Sequence, residues 1–162
     1  MALEKEESKI RWDMAVLPAD RRSRLRLPEN PVPVQPPAQR ILNFNPVYLG
    51  YDAALAMAEA ARCLQCPEPS ACMASCPLHN DIPRAMALIA QGDFEGAANV
   101  YRETSNMPEI CGRVCPQESL CEGHCVEGKR EKTVSLGKLE MFVADFQRRQ
   151  SGIPKPPLPS PT

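Results

Sequence analysis

The sequence is poor in large aromatic side chains: phenylalanine, tryptophan and tyrosine together make up 5% of its 162 residues. A chain so supplied has little with which to build a wide hydrophobic core, so something besides apolar burial must hold it together. Strong charge of one sign is also missing, the formal net charge being −1, and no long-range field draws the chain to nucleic acid or to a membrane surface. No stretch approaches the ~20 apolar residues that a membrane span needs. The charged start MALEKEESKIRWD lacks the apolar centre of a secretory signal. The expected compartment is therefore the cytoplasm, where thiols stay reduced. The eight glycines, Gly50, Gly92, Gly96, Gly112, Gly123, Gly128, Gly137 and Gly152, nowhere form G-x-G-x-x-G, so no dinucleotide-binding turn is encoded.

Proline, by contrast, is plentiful, with 18 residues concentrated towards the two ends. Residues 1–48 hold Pro18, Pro28, Pro31, Pro33, Pro36, Pro37 and Pro46, and IPKPPLPSPT closes the chain. Both stretches are expected to be extended and largely without helix. The organisation read from this is a Pro-rich extension over 1–48, a helical domain over 49–150 and an interdomain linker over 151–162, with a following domain carried beyond it or on a partner chain. The dense basic run Arg21, Arg22, Arg24, Arg26 reads as a solvated segment of a flexible arm, with a docking strip for an acidic surface as its alternative.

Between the ends the periodicity is helical. Asp52 is placed to cap a helix from about Ala53 to Cys63, Asp81 one that ends before Gly92, and Asp93 one from Phe94 to about Glu103. Pro108 and Pro116 each suit the first turn of a short helix. A last helix starts near Thr133 or Ser135 and ends before Gly152. No run alternates with period two, so the expected fold class is all-α, with irregular cysteine-bearing loops and no substantial sheet.

The cysteines carry the chemistry. One group is Cys63-x2-Cys66-x5-Cys72-x3-Cys76-Pro77, the other Cys111-x3-Cys115-Pro116-x4-Cys121-x3-Cys125. Short spacings let one loop wrap several thiolates round a metal centre, and an i, i+4 pair such as Cys111 and Cys115 sets two sulfurs on one helix face. Structural zinc accepts four thiolates, but favours paired C-x2-C knuckles, and only Cys63/Cys66 has that form. Disulfides are disfavoured in a reducing compartment. A chained run whose last cysteine precedes proline, as Cys72-x3-Cys76-Pro77 does, is the iron–sulfur pattern, in which that last cysteine serves the other cluster. Iron–sulfur is the favoured reading; a zinc-stapled interaction module without redox role is the competitor.

The stretches RILNFNPVYLGYDAALAMAEAARCLQC, CMASCPLHNDIPRAMALIAQGDFEGAANVYRETSNMPEICGRVCPQESLCEGHCVEG and VSLGKLEMFVAD closely resemble one known domain. It is the N-terminal di-cluster domain of the NAD(P)H-dependent glutamate synthase small (beta) subunit, shared with dihydropyrimidine dehydrogenase and with bifurcating ferredoxin:NADP oxidoreductase. The resemblance covers about residues 40–147 and implies an α-helical ferredoxin-like domain. It implies two interleaved 4Fe–4S clusters: one held by Cys63, Cys66, Cys72 and Cys125, the other by Cys76, Cys115, Cys121 and a non-cysteine ligand matching Glu140. The loop Cys66-x5-Cys72 is one residue longer than the family's usual one, which should bulge the loop without removing a ligand.

The resemblance further implies that NAD(P)H reduces FAD in a domain outside this sequence and that electrons then cross the clusters. In glutamate synthase they reach FMN on the large subunit, where 2-oxoglutarate and glutamine-derived ammonia become glutamate. The chain would then be part of an oxidoreductase without a catalytic residue of its own. A role in a ferredoxin:NADP oxidoreductase or a pyrimidine reductase, or as a freestanding carrier, stays open.

Residue by residue, alternatives remain. Helical geometry puts Leu136, Leu139, Phe142, Val143 and Phe146 on one apolar face and Glu140 on its shoulder, where a carboxylate needs a partner; iron is one candidate and an outward lean toward Lys138 or Arg148 the other. Cys111, left outside both sets, is either a small buried hydrophobe near a cluster or the true fourth ligand of the second. His79 and His124 read as surface residues or donors to cluster sulfur rather than ligands. Arg113 is either a tuning charge beside a cluster or half of a surface salt bridge.

Overall fold

The structure, a computed structural model, describes residues 20–129 and 132–151. Its helices run in the order α1 (Arg21–Arg24), α2 (Pro37–Arg40), α3 (Ala53–Ala60), α4 (Ala71–Ser75), α5 (Ile82–Ala90), α6 (Phe94–Arg102), α7 (Pro108–Val114) and α8 (Leu136–Ser151), with 3-10 turns at Gln117–Ser119 and Val126–Lys129. Among the described residues there is no strand, only an isolated antiparallel bridge between Val34 and Tyr48. The all-α expectation holds. No helix among them is long and apolar enough to cross a membrane.

The helix starts follow from capping chemistry. The Asp52 carboxylate accepts from the Leu55 amide at 2.8 Å, that of Asp81 from Arg84 at 3.2 Å and that of Asp93 from Gly96 at 2.9 Å. Gly92, at φ +83°, makes the tight turn between α5 and α6. Pro108 opens α7, and Pro116 precedes the 3-10 turn at Gln117. Helix α3 stops short of Cys63, because the chain tightens into turns: Arg62 N–H donates to Glu59 O at 3.2 Å and Cys63 N–H to Ala60 O at 3.0 Å. Arg62 is held by its own ion pair with Glu59, at 2.6 Å, and donates to the carbonyls of Lys132 and Thr133. That pairing turns the backbone and presents the cysteines that follow.

Helix α8 is the hub. It packs on α7, α6 and α3, while α5 packs on α6 and α3. The thin aromatic supply is spent in one place: Phe94 of α6 meets Phe142 and Phe146 of α8 edge-on, with ring centroids 5.0 and 5.1 Å apart. Elsewhere small residues let helices approach, with Ala56, Ala60, Ala85 and Ala97 fully enclosed. At the α7–α8 crossing a Cβ on Gly112 would stand 2.6 Å from the Met141 amide nitrogen, so only glycine allows that approach.

Buried polar groups are tied together rather than scattered. Glu59, wholly enclosed, also accepts from the amides of Asn30 and Ser135 at 2.9 and 3.0 Å, joining three segments far apart in the chain. Gln147 accepts from Arg102 and donates to Glu95 and Asn99, joining α8 to α6.

The N-terminal stretch departs from expectation in one respect. Its helix content is small, the four-residue α1 and α2, as expected, but the arginine run does not form a loose solvated arm: Arg21 and Arg24 donate to backbone carbonyls of residues 63–65. Single-residue charge counting has no access to this, because the acceptors are main-chain atoms in a distant segment. The linker proposed over 151–162 lies, save Ser151, outside the described residues, as do residues 1–19.

Candidate metal centres

The loop after α3 carries Cys63 and Cys66 through a turn in which Gln65 adopts φ +50°, a left-handed conformation uncommon outside glycine. Its side chain donates to Pro83 O at 2.9 Å and so fastens the turn to the start of α5. Ser70 caps α4, which carries Cys72, and the Ser70 hydroxyl lies 3.1 Å from the Cys72 sulfur. Cys125 arrives from the other half of the sequence, between the loop after α7 and the 3-10 turn at Val126. These four, Cys63, Cys66, Cys72 and Cys125, line one narrow cavity of about 20 Å³, together with Ser70, Pro83 and Leu136.

A second cavity, of about 310 Å³, is lined by Cys76, Cys111, Cys115, Cys121 and Glu140. Cys76 follows α4 directly, Cys111 sits within α7 and Cys115 ends it, Cys121 comes from the loop beyond, and Glu140 comes from α8. Asn80, Tyr101 and Leu136 complete the wall on the protein side. Leu136 borders both cavities. Among the described residues no three His, Cys, Asp or Glu side chains converge on the position of a single ion.

Burial dominates the electrostatics. It pushes the thiols of Cys63 and Cys121 up to about 12, and raises those of Cys72, Cys111 and Cys115 as well. Such thiols are poor as free acids; a cationic centre that accepts the thiolate relieves the cost. Glu140 gives the sharpest signal. It is 8% exposed, its Oε1 is buried with no hydrogen-bond partner, and burial lifts its carboxyl to about 8. An unpartnered carboxylate oxygen facing three or four thiols is a costly arrangement for a protein alone. It suits a metal-binding donor set.

The remaining candidates fall as follows. Cys111 is partly buried, like the other seven cysteines, and lines the second cavity, its sulfur 3.9 Å from the Ser105 hydroxyl. His124 borders the first cavity, with Nδ1 2.8 Å from Leu120 O. His79 is exposed at φ +52°. Arg113 donates to Asp145 at 2.7 Å and to Glu109 O at 2.9 Å on the surface, the salt-bridge alternative. Two features were not singled out from the sequence. One is Glu122, which receives the Gly137 amide at 2.9 Å and anchors the start of α8 beside Cys121. The other is Gln117, whose amide donates to Cys111 O at 2.9 Å.

Comparison with known proteins agrees with this geometry. Residues 40–152, well over half of the chain, match the family described as dihydropyrimidine dehydrogenase domain II, 4Fe-4S cluster. A protein of Escherichia coli (strain K12) named as an oxidoreductase, UacF, is 43% identical over 108 residues, covering 67% of this chain and 17% of that protein. The glutamate synthase [NADPH] small chain of Azospirillum brasilense is 39% identical over 127 residues, 78% of this chain and 26% of the relative. The NAD-dependent dihydropyrimidine dehydrogenase subunit PreT of Escherichia coli (strain K12) is 34% identical over 99 residues, 61% of this chain and 24% of the relative. The chain thus spans about a quarter or less of the length of these relatives. On the family match and the clustered thiols, it belongs to the dihydropyrimidine dehydrogenase domain II family of 4Fe–4S domains and is an iron–sulfur electron-transfer domain related to those of oxidoreductases.

Proposed function

We propose that this chain relays electrons through two 4Fe–4S clusters, from an NAD(P)H-reduced FAD domain to a partner redox centre. Cys63, Cys66, Cys72 and Cys125 would hold the first cluster, and Cys76, Cys115, Cys121 and Glu140 the second. The observation that carries this reading is the sorting of distant cysteines into two cavities, with an orphaned carboxylate oxygen completing the second. The chained run that ends in Cys76-Pro77 favours an iron–sulfur cage over zinc, and iron accepts both thiolate and carboxylate donors. The clusters would supply one-electron storage; the chain's part is to bind them, hold them either side of Leu136 and limit water around them.

The ferredoxin-like helical arrangement over 49–150, with an N-terminal extension over 1–48 and a linker over 151–162, belongs to the same proposal. So does the setting: an enzyme of glutamate synthase type, with the flavin and NAD(P)H sites in cis or on another chain, a large subunit as electron acceptor and the cytoplasm as compartment. Resemblance to a glutamate synthase [NADPH] small chain across 78% of the sequence supports it. This domain would take no part in the bond-making steps.

Anaerobic reconstitution with ferrous iron and sulfide is the test. Uptake of about eight irons per chain, with broad visible absorption, is the expected result. A colourless protein that binds zinc and no iron under the same conditions overturns the proposal. For the setting, reduced flavin domain of a glutamate synthase should reduce the reconstituted chain; reduction only by a pyrimidine reductase's flavin domain would move it to the other branch.

A further inference from the structure

The arginine run offers more than the electron-relay reading uses. Helix α1 is held in shape by Asp20, which accepts from the Ser23 amide at 3.0 Å and the Ser23 hydroxyl at 2.7 Å. From it Arg21 reaches across to the first cysteine loop, its Nε donating to Leu64 O at 3.2 Å and its Nη2 to Gln65 O at 3.0 Å. Arg24 Nη1 donates to Cys63 O at 2.7 Å. Three consecutive carbonyls between two of the cavity's thiols are thus taken by two guanidinium groups. The middle of that turn includes the left-handed Gln65. None of these donors lies within the family-matched residues 40–152.

Two physical consequences follow. A guanidinium presents several donors in a rigid fork, so it fixes the orientation of neighbouring carbonyls better than a flexible ammonium. It also keeps its positive charge at every working pH. A cluster held there would become more negative by one charge on taking up an electron. Fixed cations nearby favour that state.

We propose that Arg21 and Arg24 are positioning residues for the first cluster: from outside the family-matched residues they fasten the Cys63–Cys66 turn and make that cluster easier to reduce. The proposal rests on reading Cys63, Cys66, Cys72 and Cys125 as ligands of one cluster. Among the described residues the second cavity shows no such clamp, Arg113 being paired with Asp145 on the surface. The effect therefore falls on one of two redox couples.

The test uses the full chain reconstituted with iron and sulfide, titrated potentiometrically with EPR detection. R21Q/R24Q is expected to lower one couple by about tenfold in its reduction equilibrium, which is about 59 mV for one electron, and to leave the other in place. Because the arginines are partly exposed, raising salt from low to high should shrink the difference. R21K/R24K keeps the charge and loses the fork. It should recover most of the potential, while amide exchange at Leu64 and Gln65, followed also in metal-free protein, stays faster than in the wild type. Two unshifted couples in R21Q/R24Q overturn the clamp and leave the cluster assignment standing. A potential in R21K/R24K as low as in the glutamine variant overturns the claim that the positive charge makes the cluster easier to reduce. A wild-type chain that takes up no iron overturns the cluster reading itself.

Discussion

The two cavities are built by different means. The first draws three of its four thiols from a single loop and its flanking turn of helix, Cys63 to Cys72, and closes to about 20 Å³. The second takes its donors from the end of α4, from α7, from the loop after it and from α8, and spans about 310 Å³. A loop collapses onto its own sulfurs; packed helices hold theirs apart. The donor sets differ too. The first is all thiol with backbone and hydroxyl support, whereas the second includes a buried carboxylate whose Oε1 finds no protein partner. Shape in the first site depends on hydrogen bonds to a turn, and in the second on helix packing. Each dependence can be broken separately.

The largest effect is expected from removing the one sulfur that closes the first site from afar. Cys125→Ser should halve the iron of the reconstituted chain, from about eight to about four per molecule. Because metal ligation and folding are coupled, it should also loosen residues 63–72. Cys111→Ser should keep all the iron if Glu140 completes the second set. Loss of iron in Cys111→Ser with none in Glu140→Gln would reverse that assignment. Iron analysis beside amide exchange over both loops reads the difference.

Next comes the packing on which the second site depends. A side chain at Gly112 would meet Met141 N at 2.6 Å and Met141 Cα at 2.8 Å, both backbone atoms that cannot swing aside. Gly112→Val should therefore push α7 from α8 at a cost of about 1–3 kcal/mol or more. It should cost the second cluster and spare the first. A thermal melt lowered by several degrees, with only one of two redox couples lost, checks it; an unchanged melt would mean that the helices do not approach so closely.

Much of this frame was legible in the sequence, and the reasons are local. Asp52, Asp81 and Asp93 announce helix starts because a cap and its amide lie three residues apart. The cysteine spacing marks the segments that line the two cavities, because ligands carried on short loops sit close along the chain. Other parts were not. The early end of α3 depends on Arg62 finding carbonyls of Lys132 and Thr133. The depth of Glu140, placed on a shoulder by helical geometry, depends on how closely α7 lies against α8. The arginine clamp has backbone acceptors that no side-chain pattern records. In each case the missing information was long-range contact, not local preference.

A smaller effect concerns the metal-free protein and pH. Burial holds the Glu140 carboxyl at about 8, above its ordinary value of 4.5. The folded state therefore keeps this proton more tightly than the unfolded chain. Its contribution to stability is full below the ordinary value and is lost as pH rises through about 8. Glu140→Gln, which cannot ionise, should flatten that decline, so that the variant is the more stable protein in denaturant at pH 8 and close to the wild type at pH 4. A decline of equal slope in both would show the carboxylate to be satisfied or solvated.

The smallest effect should come from Arg113, and its smallness sharpens the contrast. Unlike Arg21 and Arg24, which reach the first cysteine loop from a distant segment, it lies on a helix that itself bears site cysteines, two residues from both Cys111 and Cys115. Its charge, however, is spent at the surface on Asp145, in a pair whose side chains are 42% and 26% exposed. Pairs so exposed contribute about 0–1 kcal/mol, because water and salt screen them and two long side chains must be ordered to make them. Arg113→Ala should thus shift the melt by a degree or two and leave both redox couples where they were. If it moved the second couple as far as R21Q/R24Q moves the first, proximity along the chain would set the potential. If it does not, what matters is where the guanidinium donates.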